Sequence, residues 1–558
     1  MKTKSFSKVY RYSMILMGII TLTGVMAYSN IFNSFFLSDD FVLIALLSKL
    51  GPLGLWMNQQ HGQSLFFRPL LGLISFLDYQ IWGLNAFGYH LTNFGFHLGN
   101  SFLVGRITYL LSLNLRLELK LKRFIPYFAG FIFLLLPSHS EAVSWISART
   151  DVIATFFALL SFSTYLTFKQ FYQPLQLWIS LAAFLAALLC KESIVSFPGL
   201  ILAYELYQYL QEKPRTLNKL LTIVSFYVIF LGFYFVCRYL KLGTFIGGYG
   251  KGIHLQFNPI QILYNLIIYP PRSFLPPQFN ASSFTVWIID FIGIILISLL
   301  VFLLSYYKHQ LNSQIPQTLI LLIVGFWICV LPAINVSVSP FDTQGERYLY
   351  WASSFTSIYI ALVITILVSN FQLTLILSSI ILVSLGLSLH SINQNWKFAG
   401  ELSQSLLSSL QKIPIESPII TSVPDNYRGA YVYRTGLIQG LYLFDPENRF
   451  NVQFEQKPTD KPFEKVRFYT DNILLVMMNT LLEPTDKILV NSPQLNQYQF
   501  QLSNPQTTFF LTPKNTVVTQ DYHINNVQPQ SYTLNLNNPS RFQDLLLYSS
   551  GQFVKLSN

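Results

Sequence analysis

Long apolar runs recur from residue 12 to residue 389 of this 558-residue chain, separated mostly by short polar turns. A run of about twenty apolar residues is long enough to cross a bilayer as a helix. Counting the runs that Pro or Gly interrupts, the sequence predicts about eleven spans. The chain is 52% hydrophobic and 11% charged, unlike a soluble globular protein. It is predicted to be an all-α polytopic membrane protein.

The net charge of +11 does not point to nucleic acid. The basic residues lie beside apolar runs or are scattered through the C-terminal part, so membrane orientation explains them better. The three cysteines, Cys190, Cys237 and Cys329, lie in or beside apolar runs. They predict neither a disulfide framework nor a CxxC metal site.

Orientation follows from the charged loops. Four basic residues up to Arg11 precede the first apolar run, about Tyr12 to Phe36, which lacks a clear cleavage site and predicts an uncleaved first helix. Lys and Arg favour the loops on one side of the spans, and Asp and Glu favour the others. The positive-inside rule then places the N-terminus in the cytoplasm and, with an odd number of spans, the C-terminal part outside, beyond the plasma membrane if the chain is bacterial.

Two domains are predicted, a transmembrane domain over residues 1–390 and a soluble extracytoplasmic domain over residues 391–558. The first outer loop, 38–85, is long and contains a short apolar segment, Phe41 to Leu50, typical of a helix at the bilayer surface. The later spans are predicted at 86–111, up to 136, 150–168, up to 190, 194–210, 220–236, 286–307, 319–333, 348–368 and 373–389.

The C-terminal part loses its long apolar runs and gains Gln, Asn, Ser and Pro. Short strand-like segments bounded by Pro, Asn and Asp predict a small α/β or mostly β domain. The predicted strands are 418–423, 487–490, 507–511 and 531–536, and residues 436–444 fit either a helix or a strand.

The acid pair Asp39-Asp40 follows the first apolar run. Adjacent carboxylates at the mouth of a span are functional candidates. An alternative is structural: Ser38 is a natural N-cap, and acids in the first turn favour the helix dipole.

A second polar group lies in the turn after the third span. If that turn is helical, Glu141, Trp145 and Arg149 share one face at a spacing of four residues. Together with His139 and Asp151, they place acids and bases around an aromatic ring. The alternative is an interfacial anchor, with Trp at the headgroups and Arg149 on lipid phosphate.

Three further sites are Arg68 beside Pro69, Lys191-Glu192 after the fifth span, and Glu346-Arg347 before the tenth. Each fits a loop or snorkelling cation taken alone. All are predicted on the outer side, where short loops disfavour positive residues. A shared anionic ligand, such as a lipid-linked phosphate attacked by a nucleophile, would explain their common side.

The order of these motifs resembles that of a known family. The set is Asp39-Asp40, Phe67-Arg68-Pro69-Leu70, Tyr89-His90 with Asn93 and His97, His139-x-Glu141-Ala142-Val143-x-Trp145-Ile146-x-x-Arg149-x-Asp151, Cys190-Lys191-Glu192 and Glu346-Arg347-Tyr348. It resembles the GT-C membrane glycosyltransferases, especially the protein O-mannosyltransferases and the transmembrane mannosyltransferases with tetratricopeptide repeats. The repeats are absent from this sequence, and so is the WWDYG-like signature of oligosaccharyltransferases.

The resemblance implies transfer of a sugar, with inversion, from a polyprenyl-phosphate donor to a hydroxyl acceptor on a protein, lipid or glycan at the outer membrane face. It implies that Asp39, or Asp40, is the general base, and that Arg149, Lys191 and Arg347 surround the donor phosphate. His139 and Glu141 would shape the site, and Arg68 would contribute to substrate binding. The lipid-linked sugar would be a co-substrate rather than a cofactor, membrane lipids are further partners, and no motif indicates a metal ion.

Two functions of other classes fit the same residues. A transporter or flippase of a lipid-linked sugar would use the acids as proton sites, but it favours acids near the middle of spans and paired broken helices. A structural or assembly protein would use its external domain to bind partners, and it predicts that Asp39→Asn leaves function intact.

Overall fold

The computed structural model describes residues 17–52, 58–60, 66–211, 217–245, 258–279, 282–306, 314–368, 370–414, 417–457, 464–511, 522–537 and 544–556. Helices dominate up to residue 412, and strands dominate after it. The basic N-terminal segment of the predicted first helix lies outside the described residues.

The helical part is a bundle that packs around one large apolar core. Helices α4 and α7 pack closely on each other, and their neighbours α5 and α8 pack on them in turn. The helices are α1 Met17–Ala27, α2 Asp39–Leu50, α3 Pro69–Trp82, α4 Ala86–Ser112, α5 Leu119–Leu135, α6 Ser140–Ser144, α7 Arg149–Phe171, α8 Pro174–Leu188, α9 Phe197–Gln211, α10 Leu217–Leu242, α11 Pro259–Arg272, α12 Ser283–Tyr306, α13 Gln314–Val330, α14 Ser353–Leu367, α15 Phe371–Lys412 and α16 Leu437–Phe444.

Most predicted spans coincide with helices, because long apolar runs leave the backbone no better way to satisfy its hydrogen bonds in a bilayer. Within the described residues, four helical segments are long and apolar enough to cross a membrane: Ile146–Phe171, Leu220–Leu242, Gln314–Ala333 and Phe371–Lys412. Four shorter apolar helices accompany them. By length and composition alone, the described helices therefore do not reach the predicted number of about eleven spans.

The first predicted span is too long at its C-terminal end. Helix α1 ends at Ala27, and turns followed by irregular backbone lead to Asp39. Tyr28 and Phe36 on this segment are fully buried, so their apolar character reflects packing against the protein rather than helix continuation. This non-helical segment leads to the acid pair at the start of α2.

Helix α2 is not the surface helix that its sequence predicts. All residues from Asp40 to Leu47 are buried, and α16 packs against α2. Because the protein encloses α2, the helix is apolar and has no polar face. Helix α3, in the first outer loop, and helix α11, between the spans predicted at 220–236 and 286–307, are additional to the predicted spans.

Helix α15 runs through residue 390, the predicted domain boundary. Its second half buries residues at helical spacing, among them Trp396, Ala399, Ser403, Leu406 and Leu410. This amphipathic stripe packs on the strands that follow, so one helix joins the two parts of the chain. The division into two domains at this residue stays a prediction.

The C-terminal part contains three sheets in the described residues. A mixed sheet has the order β13-β12-β2-β6-β9, with β3 paired to β2, and an antiparallel sheet has the order β10-β11-β8-β7. A third sheet, β1-β5-β4, takes β1 from the first long loop in parallel with β5. The strands are β1 Asn58–Gln60, β2 Pro418–Tyr427, β3 Ala430–Tyr431, β4 Gln453–Lys457, β5 Glu464–Tyr469, β6 Leu474–Leu481, β7 Ile488–Gln494, β8 Gln497–Leu502, β9 Phe509–Phe510, β10 Tyr522–Gln528, β11 Ser531–Leu536, β12 Asp544–Ser549 and β13 Gln552–Lys555.

The predicted strands correspond to β2, β7, β9 and β11, and the ambiguous segment 436–444 forms α16. Every residue of β2 is buried, as expected for a central strand with parallel neighbours. A second apolar core joins this domain to the helical part and contains Phe36, Phe41, Trp145 and Trp396. The end of the bundle that contacts the C-terminal domain is called the domain-facing end below.

Candidate functional site

Asp40 lies at the start of α2 and is 1% exposed. One carboxylate oxygen accepts a hydrogen bond from the Leu37 N–H at 3.0 Å. The other accepts from the Ser147 N–H at 2.8 Å and from the Ser147 hydroxyl at 2.6 Å. Burial raises the pKa of Asp40 to about 7, although these three bonds favour the carboxylate. Asp40 therefore joins α2 to the turn before α7, and its oxygens face protein donors.

Asp39 has a different environment. Its side chain is only partly buried, and one carboxylate oxygen accepts a hydrogen bond from the hydroxyl of Thr435 in the C-terminal domain. The two acids point apart, as expected for neighbours on a helix. Ser38 does not cap the helix: its φ is +46° and its hydroxyl contacts Thr435 instead. The predicted N-cap is therefore wrong, because the C-terminal domain competes for the serine hydroxyl.

Glu141 and Arg347 form a buried pair although 206 positions separate them in the chain. The carboxylate also accepts from the Arg347 backbone N–H at 2.8 Å and from the Tyr431 hydroxyl at 3.3 Å. The Arg347 guanidinium lies 5.2 Å from the Trp145 ring centroid and 4.7 Å from that of Tyr348. An aromatic cage thus holds one cation and one acid at the domain-facing end.

The predicted helical face of Glu141, Trp145 and Arg149 does not form. Helix α6 ends at Ser144, and Trp145 has extended backbone with φ −89° and ψ +118°. This break keeps Glu141 and Trp145 around Arg347 but directs Arg149 elsewhere. The Trp145 indole N–H approaches the Leu37 carbonyl at 3.4 Å, which connects the aromatic cage to the segment that carries Asp39.

Arg149 is 1% exposed, and each of its guanidinium nitrogens has a protein partner. It donates to Asp78 at 2.6 Å, to the Asn93 side-chain oxygen at 2.9 Å and to the Tyr89 carbonyl at 3.0 Å. A cation with this set of partners ties α7 to α3 and α4. Arg149 therefore belongs to a buried network of protein partners rather than to an open site.

Lys191 follows α8 and contacts Asp151 at 2.5 Å. Its ammonium lies 5.2 Å from the centroid of the same Tyr348 ring that Arg347 covers. Lys191 and Arg347 therefore meet on one aromatic residue. A small cavity of about 20 Å³ lies beside them, and its lining includes Asp151, Ser193, Tyr348 and Trp351.

His139 and Arg68 are the two remaining predicted site residues. His139 is fully buried, and its Nε2 is 2.6 Å from the Ser353 hydroxyl. Arg68 pairs with Glu192 through two hydrogen bonds, at 2.9 and 2.5 Å. Burial raises the pKa of Glu192, but Arg68 outweighs it and holds that pKa at about 2.

Several residues of the site were not predicted. Tyr431 and Thr435 come from a C-terminal loop whose sequence has no motif that links it to the membrane part. Arg272 forms a buried pair with Glu346 of the predicted Glu346-Arg347 site, and only the polar character of Arg272 in apolar surroundings marks it. Among the described residues, no group of three or more His, Cys, Asp or Glu side chains is arranged to hold a metal ion.

Comparison with known proteins gives partial matches. No family model matches the chain. Protein O-mannosyl-transferase TMTC4 from Homo sapiens is 26% identical over 212 residues, which cover 34% of this chain and 29% of that protein. Protein O-mannosyl-transferase tmtc2 from Xenopus laevis is 29% identical over 217 residues, 36% of this chain and 25% of that protein.

Protein O-mannosyl-transferase TMTC3 from Homo sapiens is 30% identical over 146 residues, which cover 25% of this chain and 15% of that protein. The chain thus spans less than a third of the length of these curated relatives. A crystal structure of ArnT from Cupriavidus metallidurans, bound to undecaprenyl phosphate, aligns with a TM-score of 0.41 and 11% identity over 78% of this chain and 88% of that one. The sequence matches confirm the resemblance: over part of its length, this chain is similar to the protein O-mannosyl-transferases.

Proposed function

We propose that this chain is a membrane glycosyltransferase that moves a sugar from a polyprenyl-phosphate donor to a hydroxyl acceptor. The partial similarity to protein O-mannosyl-transferases supports sugar transfer. The observation that carries the proposal is the separation of the acid pair, in which Asp40 is enclosed and Asp39 stays accessible at the domain-facing end. The C-terminal domain and this end then share the extracytoplasmic side.

Asp39 is the general base in this proposal. A carboxylate that is only partly buried can accept a proton from a bound hydroxyl. Asp40 cannot take this role without losing its bonds to Leu37 and Ser147, which hold the start of α2. The sequence left the choice between the two acids open, and their different surroundings favour Asp39.

Arg347 and Lys191 are the cations that would face the donor phosphate. Both lie on the Tyr348 ring, so a phosphate bound beside this ring would meet both cations, and the adjoining cavity of about 20 Å³ would have to widen to admit it. Each is paired with an acid, Glu141 or Asp151, so the site is close to neutral before the donor binds. Phosphate oxygens would compete with Glu141 and Asp151 for the N–H donors of these cations.

The proposed step is a single displacement. The acceptor oxygen forms a bond to the anomeric carbon while its proton passes to Asp39. The bond between that carbon and the phosphate oxygen breaks, and its electron pair leaves with the polyprenyl phosphate. Arg347 and Lys191 stabilise the charge that grows on the leaving phosphate. Attack opposite the leaving group inverts the anomeric configuration.

Arg149, His139 and Arg68 support this site without facing the donor. Arg149 fixes the start of α7, next to the turn that holds Asp40. The Arg68–Glu192 pair fixes the segment after Lys191. Because their side chains are bonded to protein partners, these residues have a structural role in the proposed mechanism.

The test uses purified protein in lipid vesicles with a radiolabelled polyprenyl-phosphate sugar and three acceptors: a Ser/Thr peptide, a glycan and a hydroxyl-bearing lipid. We expect labelled acceptor and free polyprenyl phosphate in equal amounts. Asp39→Asn should lower transfer by at least about 10²-fold, the usual contribution of a general base. Asp471→Asn, an exposed acid in the C-terminal domain, is the matched control and should transfer normally.

Three results would contradict the proposal. Asp39→Asn with normal transfer would remove the base. Movement of the labelled donor across the vesicle membrane without a glycosylated product would instead favour a transporter. No product with any of these donors and acceptors, from protein that keeps its folded state, would remove the transferase function.

A further inference from the structure

The C-terminal domain sends one loop, residues 428–436, onto the domain-facing end of the bundle. We call it the docking loop. Two glycines with positive φ mark its ends, Gly429 at +86° and Gly436 at +88°. A Cβ on Gly429 would lie 2.7 Å from the Asp342 Cβ, and a Cβ on Gly436 would lie 2.1 Å from the Ser38 carbonyl oxygen. The backbone of the loop therefore touches the helical part at both ends, where side chains do not fit.

The docking loop also bonds to the segment that carries Asp39. The Ser38 N–H donates to the Val432 carbonyl at 2.9 Å, and the Phe41 ring stacks on Tyr433 with 5.6 Å between centroids. The Tyr433 hydroxyl donates to the Ser403 carbonyl of α15 at 2.8 Å. These contacts hold Ser38 in its positive-φ conformation and fix the direction in which α2 starts.

Thr435 completes a chain of hydrogen bonds that ends on Asp39. The Ser38 oxygen accepts from the Thr435 N–H at 3.2 Å, and the two hydroxyls are 3.2 Å apart. If the Ser38 hydroxyl donates to the Thr435 hydroxyl oxygen, the Thr435 hydrogen is free to donate to Asp39, which it contacts. Each polar atom then has a partner, and the second oxygen of Asp39 is left for another ligand.

We infer that Thr435 is a positioning residue for Asp39, so that the C-terminal domain forms part of the catalytic site. This inference rests on the proposed function. A partly exposed aspartate has two rotatable side-chain bonds, and a hydrogen bond to one oxygen selects the rotamer in which the other oxygen meets the acceptor. Tyr431 of the same loop contacts Glu141 and packs on Trp145, with 4.6 Å between ring centroids, so the loop spans the base and the cation cage.

The test compares Thr435→Val, which keeps the shape but removes the hydroxyl, with Thr435→Ser, which keeps the hydroxyl. We expect Thr435→Val to lower kcat by roughly tenfold with KM for the donor unchanged, since an unpositioned base acts on the transition state rather than on donor binding. Thr435→Ser should restore kcat within about twofold.

Thr435 is exposed, so Thr435→Val should fold, and the unfolding midpoint of each variant checks this directly. Thr485→Val, another exposed threonine of the C-terminal domain, is the matched control. Normal kcat for Thr435→Val, alongside an inactive Asp39→Asn, would overturn the inference and leave the proposed function standing. Normal transfer by Asp39→Asn would overturn the proposed function itself.

Discussion

Removing the charge of Arg149 is expected to unfold the domain-facing end rather than to weaken donor binding. The side chain is buried with Asp78, at 1% and 8% exposure, and also bonds Asn93 and Tyr89. Arg149→Met leaves the Asp78 carboxylate buried without its partner. Breaking a buried ion pair from one side costs about 3–5 kcal/mol, because the remaining charge has lost both water and its counter-ion.

Asp78→Asn should cost a similar amount, since it leaves the guanidinium uncompensated. The double variant Arg149→Met with Asp78→Asn removes both charges. If the two losses were independent, the double variant would lose about 6–10 kcal/mol of its free energy of unfolding. If the two charges form a coupled pair, it should lose only about 3 kcal/mol or less. The difference is large enough to separate the two cases.

The assay is the unfolding midpoint of detergent-purified protein, together with KM for the lipid-linked donor. A cost of 3–5 kcal/mol corresponds to a shift of about 6–20 °C if roughly 2–4 °C accompanies each kcal/mol. Arg116→Met, at an exposed loop position, is the control and should stay within about 1 °C. A single variant Arg149→Met with the parent's midpoint and a tenfold higher KM would refute the reasoning and make Arg149 a donor ligand.

Three further outcomes are expected. Because burial raises the folded-state pKa of Asp40 to about 7, its carboxylate destabilises the fold as pH rises from about 4 to about 7, and unfolding midpoints should fall over this range. Asp40→Asn should flatten that dependence and lower stability at acidic pH. A pH dependence that Asp40→Asn leaves unchanged would show that the slope has another source. Arg68 lowers the pKa of Glu192 to about 2, so the stability from this pair is present above about pH 4.5 and is lost as pH falls toward 2. In Arg68→Met, the unfolding midpoint should no longer show this decrease between about pH 5 and pH 2. A changed KM for the donor would instead indicate that Arg68 contacts the substrate. Gly436→Ala should lower both the unfolding midpoint and sugar transfer, with a loss of at least about 1–3 kcal/mol in stability, because Gly436 has a positive φ and lies close to the Ser38 carbonyl. The control is Gly95→Ala in α4, which should be neutral or stabilising because no atom lies within 4 Å of the added Cβ. A normal Gly436→Ala would mean that the docking loop can move without consequence.

Local pattern was sufficient for most helices and several strands. Helix α7 was predicted at 150–168 and extends over Arg149–Phe171, because an apolar run of that length has few alternatives to a helix. The strand predicted at 531–536 matches β11. The continuation of α15 beyond residue 390 was not predicted, because its apolar stripe is narrow. The stripe is explained only by the C-terminal strands that pack on it.

Local pattern was misleading where a distant partner competes for a side chain. Ser38 fits an N-cap by sequence, but Thr435, 397 positions away, takes its hydroxyl. The face shared by Glu141, Trp145 and Arg149 depends on a continuous helix, and the extended backbone at Trp145 breaks it. These outcomes depend on packing that no window of neighbouring residues contains.

The sequence by itself determined that this chain builds apolar helices with a polar, strand-rich C-terminal part, and which charged residues lie at the ends of the helices. Hydrophobic run length and periodicity are local properties, so they can be read without a structure. Only the tertiary structure decided which acid is enclosed and which is accessible, which cations are paired, and that the docking loop reaches Asp39. Those facts depend on contacts between residues as much as 397 positions apart, and burial and hydrogen bonding, rather than residue type, set what each charged group can do.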